Sequence, residues 1–202
     1  MGERLFKPQY AHKLEDPERQ IWLPVVDVIR ASAIRPGMRV ADIGAGTGYF
    51  AIPMALAVGV GGKVYAVDLQ SEMLNKLQQK LTKPGAPRNI ELVRGEASKT
   101  SLPSRCVDVV FVANVWHEVE DPAAVLQEAA RILAPGGSLA LLDWRPDTSP
   151  PPGPPADHRL PAAGVLQFLV ESGWTTDEPA NIGHYSYFIG AIPPNTVVSA
   201  TS

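Results

Sequence analysis

From Arg39 onward the chain alternates short β-branched apolar runs with longer segments of helical period, and few folds accommodate that pattern. Apolar runs with no polar face belong to buried parallel strands, which need crossover helices to join them. Strands are expected at 39–43, 63–68, 90–94, 107–112 and 138–142, with helices at 49–57, 71–81 and 122–133. The last of these helices opens on Asp121 as N-cap with Pro122 in the first helical position. It ends at Ala134-Pro135-Gly136-Gly137, read as a stop followed by a turn. A helix at 162–172 and a strand at 185–190 complete the pattern, and the first forty residues read as one or two helices, one starting at Asp16-Pro17. Between the strand at 138–142 and the helix at 162–172 stand prolines 146, 150, 151, 152, 154, 155 and 161. So many prolines suit neither helix interior nor central strand, leaving an extended loop that serves as a semi-rigid lid or as a plain spacer.

A chain of 202 residues accommodates one domain with a full core. That domain is expected over 1–192, with an N-terminal helical cap at 1–33, the loop or lid at 146–161, and a tail at 193–202. Apolar residues make up 45% and charged ones 19%, the composition of a globular chain. No apolar run approaches the roughly 18 residues of a membrane span, and the first residues lack an apolar signal core. A formal net charge of −3 without a Lys/Arg cluster offers nucleic acid no footprint. The single cysteine, Cys106, forms no internal disulfide and builds no Cys-rich metal site, which fits a reducing cytoplasmic setting.

The glycines of VADIGAGTGYF, residues 40–50, stand at alternate positions between a strand and a helix. Such a loop brings backbone close to a ligand and aims helix N-terminal amides at it. A dinucleotide fingerprint wants a third small residue at position 49, and Tyr49 stands there, which argues against NAD and against a phosphate cradle. The plainer alternative is a tight turn that needs glycine for geometry alone. Asp68 ends the second strand, one crossover beyond the loop, where a carboxylate facing the cleft accepts hydrogen bonds from both ribose hydroxyls. Its alternative is the cap of the next helix, a job open also to Ser71.

Taken together, VADIGAGTGYF, VYAVDLQSEML, IELVRGEA and VDVVFVANVWHEVEDPAAVLQEAARILAPGGSLALLDW resemble the class I S-adenosylmethionine-dependent methyltransferases. The likeness covers residues 34–144 and is strongest to the small-molecule branch that includes the ubiquinone and menaquinone biosynthesis enzymes. It implies an α/β, Rossmann-like, seven-stranded, mostly parallel sheet with its last strand antiparallel and helices on both faces, hence one further strand near 174–179. The implied cofactor is S-adenosyl-L-methionine. Asp42 with Gly44, Ala45, Gly46 and Gly48 would hold its methionine half, Asp68 the ribose, and Leu69 and Met73 the adenine. The Gly95-Glu96-Ala97 turn would meet the adenine amino group, although the family more often has Asp where Glu96 stands, and the backbone of Asn114 would touch the methionine portion. The implied activity is methyl transfer to a small-molecule acceptor by in-line displacement. A protein or RNA methyltransferase should show a basic groove or an Asn-Pro-Pro-aromatic motif, and neither is present; a cofactor-binding regulator without catalysis is the third reading.

His117 follows the fourth strand on the carboxyl edge of the sheet, where ligands of doubly wound folds bind. Histidine side chains suit proton transfer near neutral pH, so His117 is either a general base or a residue shaping the wall. His117-Glu118 is followed by Asp121 rather than a second His, so a zinc-protease spacing fails and no metal is expected. Asp143 and Trp144 end the fifth strand on the same edge, as acceptor-pocket lining with a stacking face or as a cap beside a core Trp. Tyr10 and Trp22 close the site from the N-terminal side or pack on the surface.

Overall fold

Val, Ile and Leu side chains fit a pleated, buried surface, and the runs rich in them form five parallel strands: β1 (Arg39–Ile43), β2 (Lys63–Asp68), β3 (Ile90–Arg94), β4 (Val107–Ala113) and β5 (Leu133–Trp144). The structure is a computed structural model and describes residues 6–148 and 152–194; Pro150, Pro151 and the expected tail beyond residue 194 lie outside the described residues. β1 is central, paired in parallel with β2 on one side and β4 on the other. β3 flanks β2, β5 flanks β4, and β8 (Ser186–Ile192) runs antiparallel beside β5.

Where one further strand is expected, two short ones, β6 (Thr175–Thr176) and β7 (Ala180–Ile182), pair antiparallel with β8. Among the described residues the sheet therefore has eight strands, in the order β3-β2-β1-β4-β5-β8-β6 with β7 also on β8. Pro179, standing between the two, has no N–H for a ladder, and the strand breaks around it. A second difference lies at 134–137. Leu133 already pairs with Val107 and Ser138 with Val109, so the Ala-Pro-Gly-Gly segment is a bulge inside β5 rather than a separate turn.

Helices cover both faces, as a parallel sheet requires. On one side α1 (Arg19–Trp22), α2 (Val25–Ala31), α3 (Ala51–Val58) and α4 (Ser71–Leu81) seat Leu23, Val28, Met54 and Leu77 on Val40, Val64, Phe111 and Leu142. On the other, α5 (Pro122–Ile132) and α6 (Ala162–Glu171) seat Val125, Ile132, Val165 and Leu169 on Ile43, Val110, Leu139 and Leu141. Leu141 and Leu142 thus enter opposite cores, the period of two that a strand imposes. Asp121 caps α5 by accepting the Ala124 amide at 3.0 Å. Ahead of α1 the chain forms a 3-10 segment, Pro8–Glu15, and Asp16 then accepts the Glu18 amide at 2.9 Å, the helix start expected there. Among the described residues no helix is long and apolar enough to cross a membrane.

Candidate active site

β1 ends at Ile43 and the chain turns immediately, with the amides of Gly44 and Ala45 donating to Val67 O at 2.8 and 3.0 Å. That stitches the glycine loop to β2. Gly44 and Gly48 have φ of +74° and +86°, and a Cβ there would run into Val115 and Leu77 respectively. Only glycine meets both demands, so the tight-turn reading of these two positions holds whatever else the loop does.

Beside the loop several polar groups are buried without a hydrogen-bond partner among the described residues: Asp42 Oδ2, Thr47 Oγ1, and both amide atoms of Asn114. A buried polar atom left unpaired costs about 1–3 kcal/mol, so such a group concentrated at one sheet edge marks a place completed from outside. Burial, and then the nearby charge of Asp68, pushes the Asp42 carboxyl up to about 8. Asn114 sits at φ +57°, a strained value for a residue with a side chain, and donates its backbone N–H to Leu142 O at 2.8 Å.

Asp68 is neither a free acid nor the side-chain cap of α4. One carboxylate oxygen accepts the Gly46 amide and the other the Gln70 amide, each at 2.8 Å, tying the tip of β2 to the glycine loop. Each oxygen keeps a second lone-pair site for a hydroxyl donor. Burial raises its pKa, opposed by the two backbone bonds. Gly95 donates to Asp68 O at 3.1 Å, which holds the Gly95-Glu96-Ala97 turn next to that tip, with Glu96 exposed and Ala97 against the core. Leu69 is exposed and Met73 buried.

A second cluster lies along the same edge. Asp143 is buried and accepts three hydrogen bonds at 2.8 Å, from the His117 amide, from His117 Nδ1 and from the Trp144 amide. The middle bond assigns the ring proton to Nδ1. His117 Nε2 then lies 3.7 Å from Glu118 Oε1. Burial, against the pull of His117, pushes the Glu118 carboxyl up to about 7. No role for Glu118 is legible in the sequence, because the neighbours that bury it come from distant segments.

Trp144 is buried, its ring 5.5 Å from that of Trp22 and 5.3 Å from the Arg159 guanidinium. The N-terminal segment crosses the edge above these groups. Phe6 donates its amide to Glu118 Oε2 at 3.3 Å and accepts from Gln70 Nε2 at 2.8 Å, while Leu14 lies against Gly46. Tyr10 rides on this segment but is 42% exposed. Asp42, the glycine loop, Asp68, Asn114, His117 and Asp143 therefore share one edge. A cavity of about 180 Å³ at the opposite end of β5 and β8, between Ser138, Asp177 and Gly190, holds none of these residues.

Fold and edge together define a class I, Rossmann-like methyltransferase. Residues 41–141 match the methyltransferase domain family, and the chain belongs to it. It is 32% identical over 142 residues to the ubiquinone/menaquinone biosynthesis C-methyltransferase UbiE of Vibrio vulnificus (strain YJ016), covering 68% of this chain and 55% of that one. To the protein of the same name from Ectopseudomonas mendocina it is 34% identical over 122 residues, 60% and 48% of the two chains. The chain spans about half the length of these curated relatives. A crystal structure of a SAM-dependent methyltransferase from Aquifex aeolicus superposes with a TM-score of 0.88 at 32% identity, covering 94% of this chain and 100% of that one. S-adenosylmethionine is the cofactor that goes with this family.

Proposed function

We propose that this protein transfers the methyl group of S-adenosylmethionine to a small-molecule acceptor in the cytoplasm, and that the acceptor atom is carbon, as in the C-methyltransferases it resembles. The observation that carries the reading is Asp42. A carboxyl group buried with one unpartnered oxygen, beside a glycine loop that lets main chain come close to a ligand, fits the ammonium end of an amino acid. When bound, the cofactor supplies a methyl group activated by a positively charged sulfur.

Gly44, Ala45, Gly46, Gly48 and Asn114 would hold the methionine half against main chain. Asp68 would take the ribose hydroxyls on its remaining lone pairs, and Leu69, Met73, Glu96 and Ala97 would hold the adenine. Trp144 and Trp22 wall the acceptor side. Holding the two reactants in line supplies up to about 7–11 kcal/mol of the barrier in the best intramolecular models. A carbon or hydroxyl acceptor also needs its proton taken, the task for which His117 is the candidate named by the sequence.

Calorimetric titration of the full chain tests the reading. S-adenosylmethionine and S-adenosylhomocysteine should bind and NAD should not. Tight NAD binding with no response to either sulfur compound would overturn it.

A further inference from the structure

We infer that Glu118 takes the proton of the methyl acceptor, with His117 behind it as the second proton holder and Asp143 fixing His117. This rests on the methyltransferase reading and deepens it. The site would serve acceptors that arrive with a proton still on, or next to, the attacking atom, such as hydroquinones and other weak acids, rather than preformed anions.

The geometry favours Glu118 over His117 as the group that meets the acceptor. The His117 side chain is 4% exposed and both ring nitrogens already face carboxylates, Nδ1 at 2.8 Å from Asp143 and Nε2 at 3.7 Å from Glu118. The Glu118 side chain is 14% exposed, and its other oxygen points to the Phe6 amide on the segment that crosses the edge. A ring whose Nδ1 carries the proton presents a lone pair at Nε2, and a carboxylate presents another, so the two stand apart beyond hydrogen-bond reach. A proton added to either atom turns that repulsion into a bond. The gap is a receptor for one proton.

Its surroundings favour holding that proton. Asp143 from β5 lies behind the ring, and the charge of Asp68 reaches Glu118 from the tip of β2. Asp143 also faces the Tyr187 hydroxyl on β8, whose pKa its charge helps to raise, and the Arg159 guanidinium, whose cation it supports. Burial places the Glu118 carboxyl at about 7, so near neutral pH it is available both to take a proton and to give it up. In the step itself the acceptor's proton goes to a Glu118 oxygen, and the electron pair freed on the acceptor forms the bond to the methyl carbon. The carbon–sulfur pair leaves with sulfur as a neutral thioether, and the proton passes from Glu118 to Nε2.

Two measurements test this on the full chain. Infrared difference spectra of wild type against Glu118→Gln, recorded as pH is lowered, should show a carboxylic acid band appearing near pH 7, and His117→Gln should move its midpoint. A Glu118 that protonates near 4.3 like a solvated carboxylate, or ignores His117→Gln, overturns the relay. The second measurement follows methyl transfer from S-adenosylmethionine to two probes, 1,4-naphthohydroquinone, which must lose a proton, and thiophenol, which reacts as thiolate. Glu118→Gln should lower kcat by about 10²–10⁴ on the first and by less than about tenfold on the second, with S-adenosylhomocysteine affinity unchanged. Asp143→Asn should show the same split between probes, and Glu118→Asp should restore part of the lost rate. Wild-type kcat on the hydroquinone should fall as pH drops through about 7, since the base must be ionised to act. Equal losses on both probes overturn the proposal. If wild type methylates neither probe and binds no S-adenosylhomocysteine, the methyltransferase reading fails, while the infrared result still decides the proton pair.

Discussion

Two segments border the active edge, the Pro-rich stretch, described at 146–148 and 152–161, and the N-terminal stretch from 6 to 15, and they are held in place by opposite means. The Pro-rich stretch is pinned from within. Arg159 is 4% exposed and uses its whole guanidinium fork, donating to Pro152 O at 2.7 Å, to Pro154 O at 2.9 and 3.0 Å, to Arg145 O at 3.0 Å and to Thr148 Oγ1 at 3.3 Å. Prolines bring carbonyls without matching N–H groups, and one buried arginine collects them. Gly153, at φ +91°, lies so close to Trp144 that a Cβ there would strike its ring. The N-terminal stretch is a 3-10 segment with weak internal bonding. It is tied down through the two Phe6 bonds, Leu14 against Gly46, and a 3.3 Å bond from Arg19 to Leu14 O. A run of prolines reads as a loop, yet a gathered run of carbonyls is a strut. The N-terminal stretch, held by bonds with Glu118, Gln70 and Arg19 on other elements rather than gathered by a residue of its own, is the segment suited to opening.

The largest effect should come from breaking the strut. Arg159→Ala leaves several carbonyls without their donor and removes the cation beside Trp144, and should cost about 3–5 kcal/mol in urea unfolding. Arg159→Lys should recover only part of that, because an ammonium cannot reproduce the fork. A loss below about 1 kcal/mol for Arg159→Ala would mean that the stretch is not pinned and would restore it as the lid.

Next comes Asp68, beneath the N-terminal stretch. From the sequence its carboxylate is free to face a ligand, and truncation should leave the unliganded protein unharmed. The structure alters that expectation, because both oxygens accept backbone amides. Asp68→Ala should therefore lower the melting free energy of the unliganded chain by about 1–3 kcal/mol and also weaken S-adenosylhomocysteine binding by tenfold or more, roughly. Asp68→Asn, which keeps two acceptor lone pairs on one oxygen, should separate the two losses. Unchanged affinity in a folded Asp68→Ala protein would reduce Asp68 to a structural tie.

Strand and helix bounds that rest on local pattern were legible to the residue: β1, β2, β3 and α4 begin and end where β-branched runs and the 3.6 period say they should. Strand ends carry Asp42, Asp68, Asn114 and Asp143, so their convergence on one edge follows from the alternation itself. What was not legible depends on partners far along the chain. Phe6 meets Glu118 across 112 positions, and nothing local to either announces it. Arg159 reads as one more charged residue until its carbonyls are folded around it. The Ala-Pro-Gly-Gly bulge was hidden because its residues also spell a stop, and only pairing with Val107 shows the strand has already begun.

The smallest effect on stability, and the sharpest on the comparison, belongs to Leu14. Its side chain covers Gly46 without entering either apolar core, so Leu14→Ala should cost less than about 1 kcal/mol in unfolding. Exchange is where the two segments should part. Amides of residues 9–15 should exchange rapidly in the unliganded chain and gain protection when S-adenosylhomocysteine is added, because a ligand in the cleft gives the segment something to close on. Residues 156–160 should be protected to the same degree before and after. Leu14→Ala should speed release of S-adenosylhomocysteine with little change in its rate of binding, since a cover retains a ligand more than it admits one. If protection appears instead in residues 156–160, the strut opens after all and the N-terminal segment is merely packed against it.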